Sequence, residues 1–186
     1  MAISVRYGIL LLLFLLSTVV QAQSDIVVTR SGIGAGQGLY FGIAAGNTSY
    51  DEAGGDDVSM SLLAGYDFSD ILGVEVAWTD YGSSEVDNSD DDAEASALLF
   101  GIIGNMPLSN EVSAFAQLGI GRWDYKFTDI DESDTDVYVG LGIDYALSQK
   151  MTARFSYNYL PLDGQSGSFE IDEKLHTVQA GIIFRP

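Results

Sequence analysis

The sequence has no cysteine, three prolines, one histidine and only eight Lys and Arg residues among 186. Each shortage closes a route. Without cysteine the chain forms no disulfide, although exported chains of this size often use them, so its stability comes from elsewhere. It also lacks the N-terminal cysteine that a lipid-anchored lipoprotein needs, and it contains no Cys/His metal cluster and no phosphate-cradling glycine loop. Against the eight cations stand 27 carboxylates, a net charge of −19, which excludes nucleic-acid binding through backbone phosphates. No cofactor is expected.

Long apolar runs are missing too, with one exception at the start. Arg6 precedes an apolar stretch from Ile9 to Val20, followed by Val20-Gln21-Ala22 with small residues three and one places before a break. This is the pattern of a secretory signal peptide, residues 1–22, cleaved after Ala22. The apolar run is shorter than the ~20 residues a spanning helix requires, which argues against an anchor. The mature chain of 164 residues carries a charge of −20 once Arg6 is removed, and its length suits one domain. Residues 23–37, closing on SGIGAGQG, read as a flexible periplasmic lead-in to a domain over 38–186.

What the chain does have is hydrophobic period two, throughout. It predicts eight strands near 38–46, 58–68, 72–81, 95–105, 112–125, 136–147, 151–160 and 175–184. Segments near ten residues match tilted strands crossing a bilayer. Short connections near 69–71, 106–111 and 148–150 alternate with long acidic ones near 47–57, 82–94, 126–135 and 161–174. The long ones hold 19 of the 27 carboxylates, so an up-and-down arrangement gathers the charge at one end.

The two faces of each strand differ in an unusual way. On strand seven Met151, Ala153, Phe155, Tyr157 and Tyr159 oppose Thr152, Arg154, Ser156 and Asn158; on strand two Met60, Leu62, Ala64 and Tyr66 oppose Ser59, Ser61 and Gly65. The polar face is also the small face, whereas a solvated sheet would carry more Lys, Glu and Arg. Small residues suit a crowded interior. The pattern therefore predicts an all-β, eight-stranded antiparallel up-and-down transmembrane barrel, aliphatic outside and polar within. Strand four (95–105) is apolar on both faces, and its inward set is not assigned by pattern. Tyr66, Phe68, Tyr145 and Phe184 fall at the short-turn ends and Trp78, Tyr157 and Tyr159 near the long loops, as two interfacial belts would.

At this point the chain resembles the OmpA-like outer-membrane β-barrel family over roughly 38–184. The resemblance rests on GLYFGIAAG (38–46), YVGLGIDYAL (138–147) leading into MTARFSYNYL (151–160), and HTVQAGIIF (176–184). It implies an integral protein of the Gram-negative outer membrane, with outer-membrane lipid, lipopolysaccharide and the barrel-assembly machinery as partners. Two departures stand out. Classical members continue into a peptidoglycan-binding domain, whereas this sequence ends just after strand eight, so that tether is not expected. The terminal aromatic read by the assembly machinery is here Phe184, displaced inward by Arg185-Pro186.

An eight-stranded barrel is just wide enough for its side chains to fill, which argues against a diffusion pore. By parity Glu75, Gln117, Asp144, Arg154 and Gln179 point inward, and Asp144 can meet Arg154 across the hairpin. A lumen network centred on Arg154 is expected, structural in role and similar to the polar plug of the family. The lone His176, beside Thr177, is weighed as a catalytic base and read instead as an interfacial side chain. The acidic run 87–94 lacks EF-hand spacing, so diffuse association of Ca²⁺ or Mg²⁺ is expected there and a defined metal site is not. The chain is thus expected to be a non-enzymatic envelope barrel. Its rivals are a loop-based adhesin, a lipid-modifying enzyme and a soluble ligand-carrying barrel.

Overall fold

The computed structural model describes residues 37–51, 56–85, 92–127, 130–166 and 169–186. The expected signal peptide, the lead-in up to residue 36 and most of the acidic run 87–94 lie outside them. Eight strands follow one another: β1 (Gly38–Tyr50), β2 (Asp56–Asp67), β3 (Leu72–Glu85), β4 (Asp92–Pro107), β5 (Val112–Phe127), β6 (Ile130–Ala146), β7 (Met151–Ser166) and β8 (Phe169–Phe184). Each pairs antiparallel with the next, and β1 pairs with β8 to close the barrel.

The three tight turns share a device. Phe68-Ser69-Asp70-Ile71-Leu72, Leu108-Ser109-Asn110-Glu111-Val112 and Leu147-Ser148-Gln149-Lys150-Met151 all place a serine after the first apolar residue. In each, the apolar residue and the serine both donate their backbone N–H to the carbonyl of the closing apolar residue, at 2.9–3.2 Å. The serine hydroxyl then accepts backbone N–H groups inside the turn, at 3.0 Å from Val112 and 3.1 Å from Met151 for the second and third. A hydroxyl that substitutes for a backbone acceptor is why serine suits such turns.

The faces separate as the alternation predicts. Leu62, Phe100, Leu141, Phe155 and Val178 are more than half exposed and turn outward. Strand four also resolves: Leu98, Phe100 and Ile102 face out while Ala97, Leu99 and Ile103 are buried within. Both of its faces are apolar because Leu99 packs into an apolar cluster inside the barrel.

That cluster accounts for the main departure from the sequence reading. The segments expected as long acidic loops are largely strand among the described residues: β1, β3, β4, β6, β7 and β8 run three to six residues beyond their predicted outer ends, and β2 and β5 two. Around the barrel the outward apolar belt stops at Ala45, Val58, Trp78, Leu98, Ile120, Val137 and Val178; the next outward residues are Asn47, Asp56, Asp80, Ser96, Arg122, Thr135 and His176. Above that edge the buried inward residues include the apolar Tyr50, Tyr81, Ala95, Trp123, Leu162 and Leu175, together with Thr48, Thr177 and Glu173. The pattern inverts at the edge. Below it the barrel is apolar outside and polar inside; above it the same strands are polar outside and apolar inside, as in a water-soluble protein. Below the edge, the spans 98–106 on β4 and 137–147 on β6 and into its turn, nine and eleven residues long with every second one outward, fit the reach of strands through hydrocarbon.

Candidate functional site

The lumen is built in three tiers. The lowest, toward the tight turns, is ionic. Arg154 on β7 donates through Nε and Nη2 to Asp144 on β6, at 2.8 and 2.9 Å, and through Nη1 to Glu75 on β3 at 2.6 Å. The fork meets Asp144 because the β6–β7 register sets the two residues directly opposite. Glu75 also accepts from the Tyr40 hydroxyl at 2.8 Å and from the Gln117 side-chain amide at 3.2 Å. All three charged groups are almost wholly buried. Neither carboxylate lacks donors, which is the condition for holding a charge there.

Two rings complete this tier. The Arg154 guanidinium lies 4.4 Å from the Phe115 ring centre, and the Tyr40 ring lies 6.0 Å from Arg154 and 5.1 Å from Arg185. Tyr40 is thus set between two guanidiniums, a favourable place for an aromatic face. Gly65 and Gly142 make room: a methyl group on either would overlap the Tyr40 or the Phe115 ring. At the mouth Arg185 donates to Asp67 at 3.2 Å and to Thr152 at 3.1 Å.

The middle tier is neutral. Gln179 on β8 donates to Ser59 at 3.1 Å and accepts from Ser61 at 3.0 Å, and Ser61 bonds Thr79 at 2.9 Å. Gln179 therefore belongs to a hydroxyl cluster of its own. It makes no hydrogen bond to Arg154, so the five inward residues form two groups. Between the tiers a cavity of about 30 Å³, lined among others by Ser61, Glu75, Gln117, Arg154 and Gln179, has room for a water or two. The upper tier is the apolar cluster of Tyr50, Tyr81, Leu99, Trp123, Leu160, Leu162 and Leu175. Trp123 donates its indole N–H to Asp136 at 2.8 Å.

Sequence parity puts Glu75, Asp144, Arg154 and Asp67 on the inward faces but passes over Tyr40, Phe115 and Arg185. Tyr40 and Phe115 read as ordinary strand aromatics; the signal that could have found them is a glycine at the facing position of a neighbouring strand, Gly65 and Gly142.

On the outer surface Tyr66, Phe68, Trp78, Tyr145, Tyr157 and Phe184 are exposed and Tyr159 is half-buried. Tyr66 and Phe68 pack at 5.4 Å between ring centres. His176 lies at the outer edge of the belt, where its Nδ1 is 2.7 Å from the Tyr157 hydroxyl and its Nε2 is 3.4 Å from Asp51. The neighbouring Thr177 points the other way, into the lumen, and bonds Thr48 at 2.9 Å. Base and neighbouring hydroxyl lie on opposite faces of β8, so Thr177 is not a nucleophile that His176 could activate. Among the described residues no group of three or more His, Cys, Asp or Glu could hold a metal ion.

Comparison with known proteins agrees with this architecture. The structure is similar to that of Neisserial surface protein A, NspA (TM-score 0.63, 18% identity, covering 80% of this chain and 97% of that one). It is also similar to Ail, the attachment invasion locus protein of Yersinia pestis, in its complex with the heparin analogue sucrose octasulfate (0.57, 20%, 80% and 99%). A third likeness is to the outer membrane protein OprG of Pseudomonas aeruginosa (0.53, 16%, 83% and 99%). At these identities the likeness shows the fold. No curated protein matches the sequence. The family described as outer membrane protein beta-barrel domain, however, matches residues 9–184, nearly the whole chain, and the protein belongs to that family of integral outer-membrane barrels.

Proposed function

We propose that this outer-membrane barrel is a non-enzymatic, non-conducting component of the envelope, with a structural or stabilising role. The observation that carries the reading is the filling of the lumen among the described residues: ions below, hydroxyls and an amide between, and a largely apolar tier above, with a cavity of about 30 Å³ beside the Arg154 network. An ion crossing this path would have to break a buried ion pair and then shed its water among leucines and tyrosines, which is costly. The test is conductance across a planar bilayer holding the purified, folded protein. A flat baseline is expected; regular steps attributable to the wild-type protein would overturn the closed lumen. For the envelope role, a strain lacking the protein should become sensitive to detergent and recover when it is restored. Unchanged sensitivity would count against that role.

A second reading, recognition through the outer end, is favoured by one observation. The described strands continue above the membrane edge around a largely apolar core, which gives a partner a structured outer end to meet. Ail was crystallised with a polyanion, the heparin analogue sucrose octasulfate. Here the outer end carries most of the chain's carboxylates, so a partner would be cationic. Binding to cells or basic peptides that is lost on replacing the hairpin tips, with the barrel intact, would support it.

A further inference from the structure

At the tight-turn end, beside the β1–β8 seam, lies a cleft of about 310 Å³. The seam is incomplete there. β1 pairs with β2 from Gly38 onward, but its ladder to β8 begins only at Phe41, opposite Phe184. The first residues of β1 therefore form one wall, and the β6–β7 turn with the end of the chain forms the other. The lining brings together Lys150, Arg185, Gln37, Gln149 and Leu39.

Two cations in one cleft are unusual in a chain with a net charge of −19. Their spacing is set by the backbone, since Arg185 donates its N–H to the Lys150 carbonyl at 2.8 Å. Lys150 is exposed and has no carboxylate partner among the described residues. Arg185 has its terminal nitrogens committed to Asp67 and Thr152, but its Nε is buried with no acceptor. Below the cleft the outward surface is apolar: Leu39, Phe184 and Met151 are each between 42 and 47% exposed. Tyr66, Phe68 and Tyr145 stand at the same end of the belt, where interfacial rings mark the headgroup level.

We propose that this cleft holds the phosphodiester headgroup of an inner-leaflet phospholipid. Lys150 faces the phosphate oxygens, Arg185, held by Asp67 and Thr152, adds positive charge from the lumen side, the glutamine amides offer further donors, and the acyl chains run along Leu39 and Phe184 into the belt. The chemistry selects a monoanion attached to hydrocarbon. A free phosphate would gain the charges and forgo the apolar wall, whereas a neutral diacylglycerol would do the reverse. The proposal rests on the membrane placement of the barrel and is independent of whether the lumen conducts.

The test is native mass spectrometry of the full-length protein released from detergent micelles titrated with phosphatidylglycerol. The wild type is expected to retain one lipid saturably. Lys150→Gln, an exposed turn position that leaves the barrel heat-modifiable, should weaken retention about tenfold, the scale of a charge-assisted hydrogen bond. Arg122→Gln, at the opposite end, should leave it unchanged. Inorganic phosphate in excess should not displace the lipid, and diacylglycerol should not be retained. Equal retention by wild type and Lys150→Gln overturns the proposal. So does retention of diacylglycerol, or displacement by inorganic phosphate, which would make this a site for a free anion. Should Lys150→Gln lose its heat-modifiable migration, Lys150→Arg keeps the question open to measurement: it preserves the charge and should retain the lipid.

Discussion

Arg154 illustrates what a single residue does in this lumen. Among the described residues it is the only cation in contact with both Glu75 and Asp144. Its removal leaves two buried carboxylates with fewer donors. Arg154→Ala should therefore lower stability by about 3–5 kcal/mol, the range for breaking a buried pair from one side. Urea unfolding in lipid vesicles measures it, and an unmoved midpoint would mean the network contributes nothing net. Gly65 gives a complementary case. Here the loss of space matters: Gly65→Ala drives a methyl into the Tyr40 ring and should cost about 1–3 kcal/mol by overpacking. A neutral result would show that Tyr40 can swing away without penalty to its bond with Glu75.

Among the elements, the turns and strand ends differ in how far they could be read. The tight turns were placed correctly because each apolar-Ser-x-x-apolar run interrupts period two in a recognisable way. Ser148 accepts two backbone N–H groups, from Lys150 and Met151. Ser148→Ala should cost about 0.5–1.5 kcal/mol, the net worth of a typical hydrogen bond, read as a shifted unfolding midpoint. The outer strand ends were mistaken for loops because their outward residues, such as Asp80, Glu94 and Asp124, are the carboxylates that usually signal a loop. Alternation continued beneath them in Tyr81, Ala95 and Trp123, but with the apolar set transferred to the inward positions. A reading that assumed one facing rule for the whole strand could not see the change. On β3 the change is marked by an irregularity: pairing with β4 shifts between Asp80 and Ser83, and Gly82 there has φ of 79°. Asp80 accepts the Gly82 N–H at 3.0 Å. The left-handed backbone explains why glycine occupies this point, where other residues lose about 1–2 kcal/mol.

For the whole molecule, the inverted pattern means that two solvents shape one set of strands. Below the belt edge hydrocarbon takes the apolar side chains and the lumen must be polar yet fully paired. Above it water takes the charges, and the lumen becomes the only dry place left. The outer third of the barrel should then depend on its own core and not on lipid. Leu162→Ala, in that core, should remove about 2–5 kcal/mol from the outer tier, as large-to-small substitutions in packed interiors do. The Arg154 tier lies outside the apolar cluster that holds that leucine. External protease should accordingly cut the outer hairpins of Leu162→Ala far faster than those of the wild type. The remaining barrel should keep its different migration when heated and unheated. Collapse of both together would mean the tiers fold as one unit, and unchanged cleavage would mean the apolar tier does not hold the rim. The first outcome alone fits an outer end that is a water-soluble structure built on the same strands that cross the membrane.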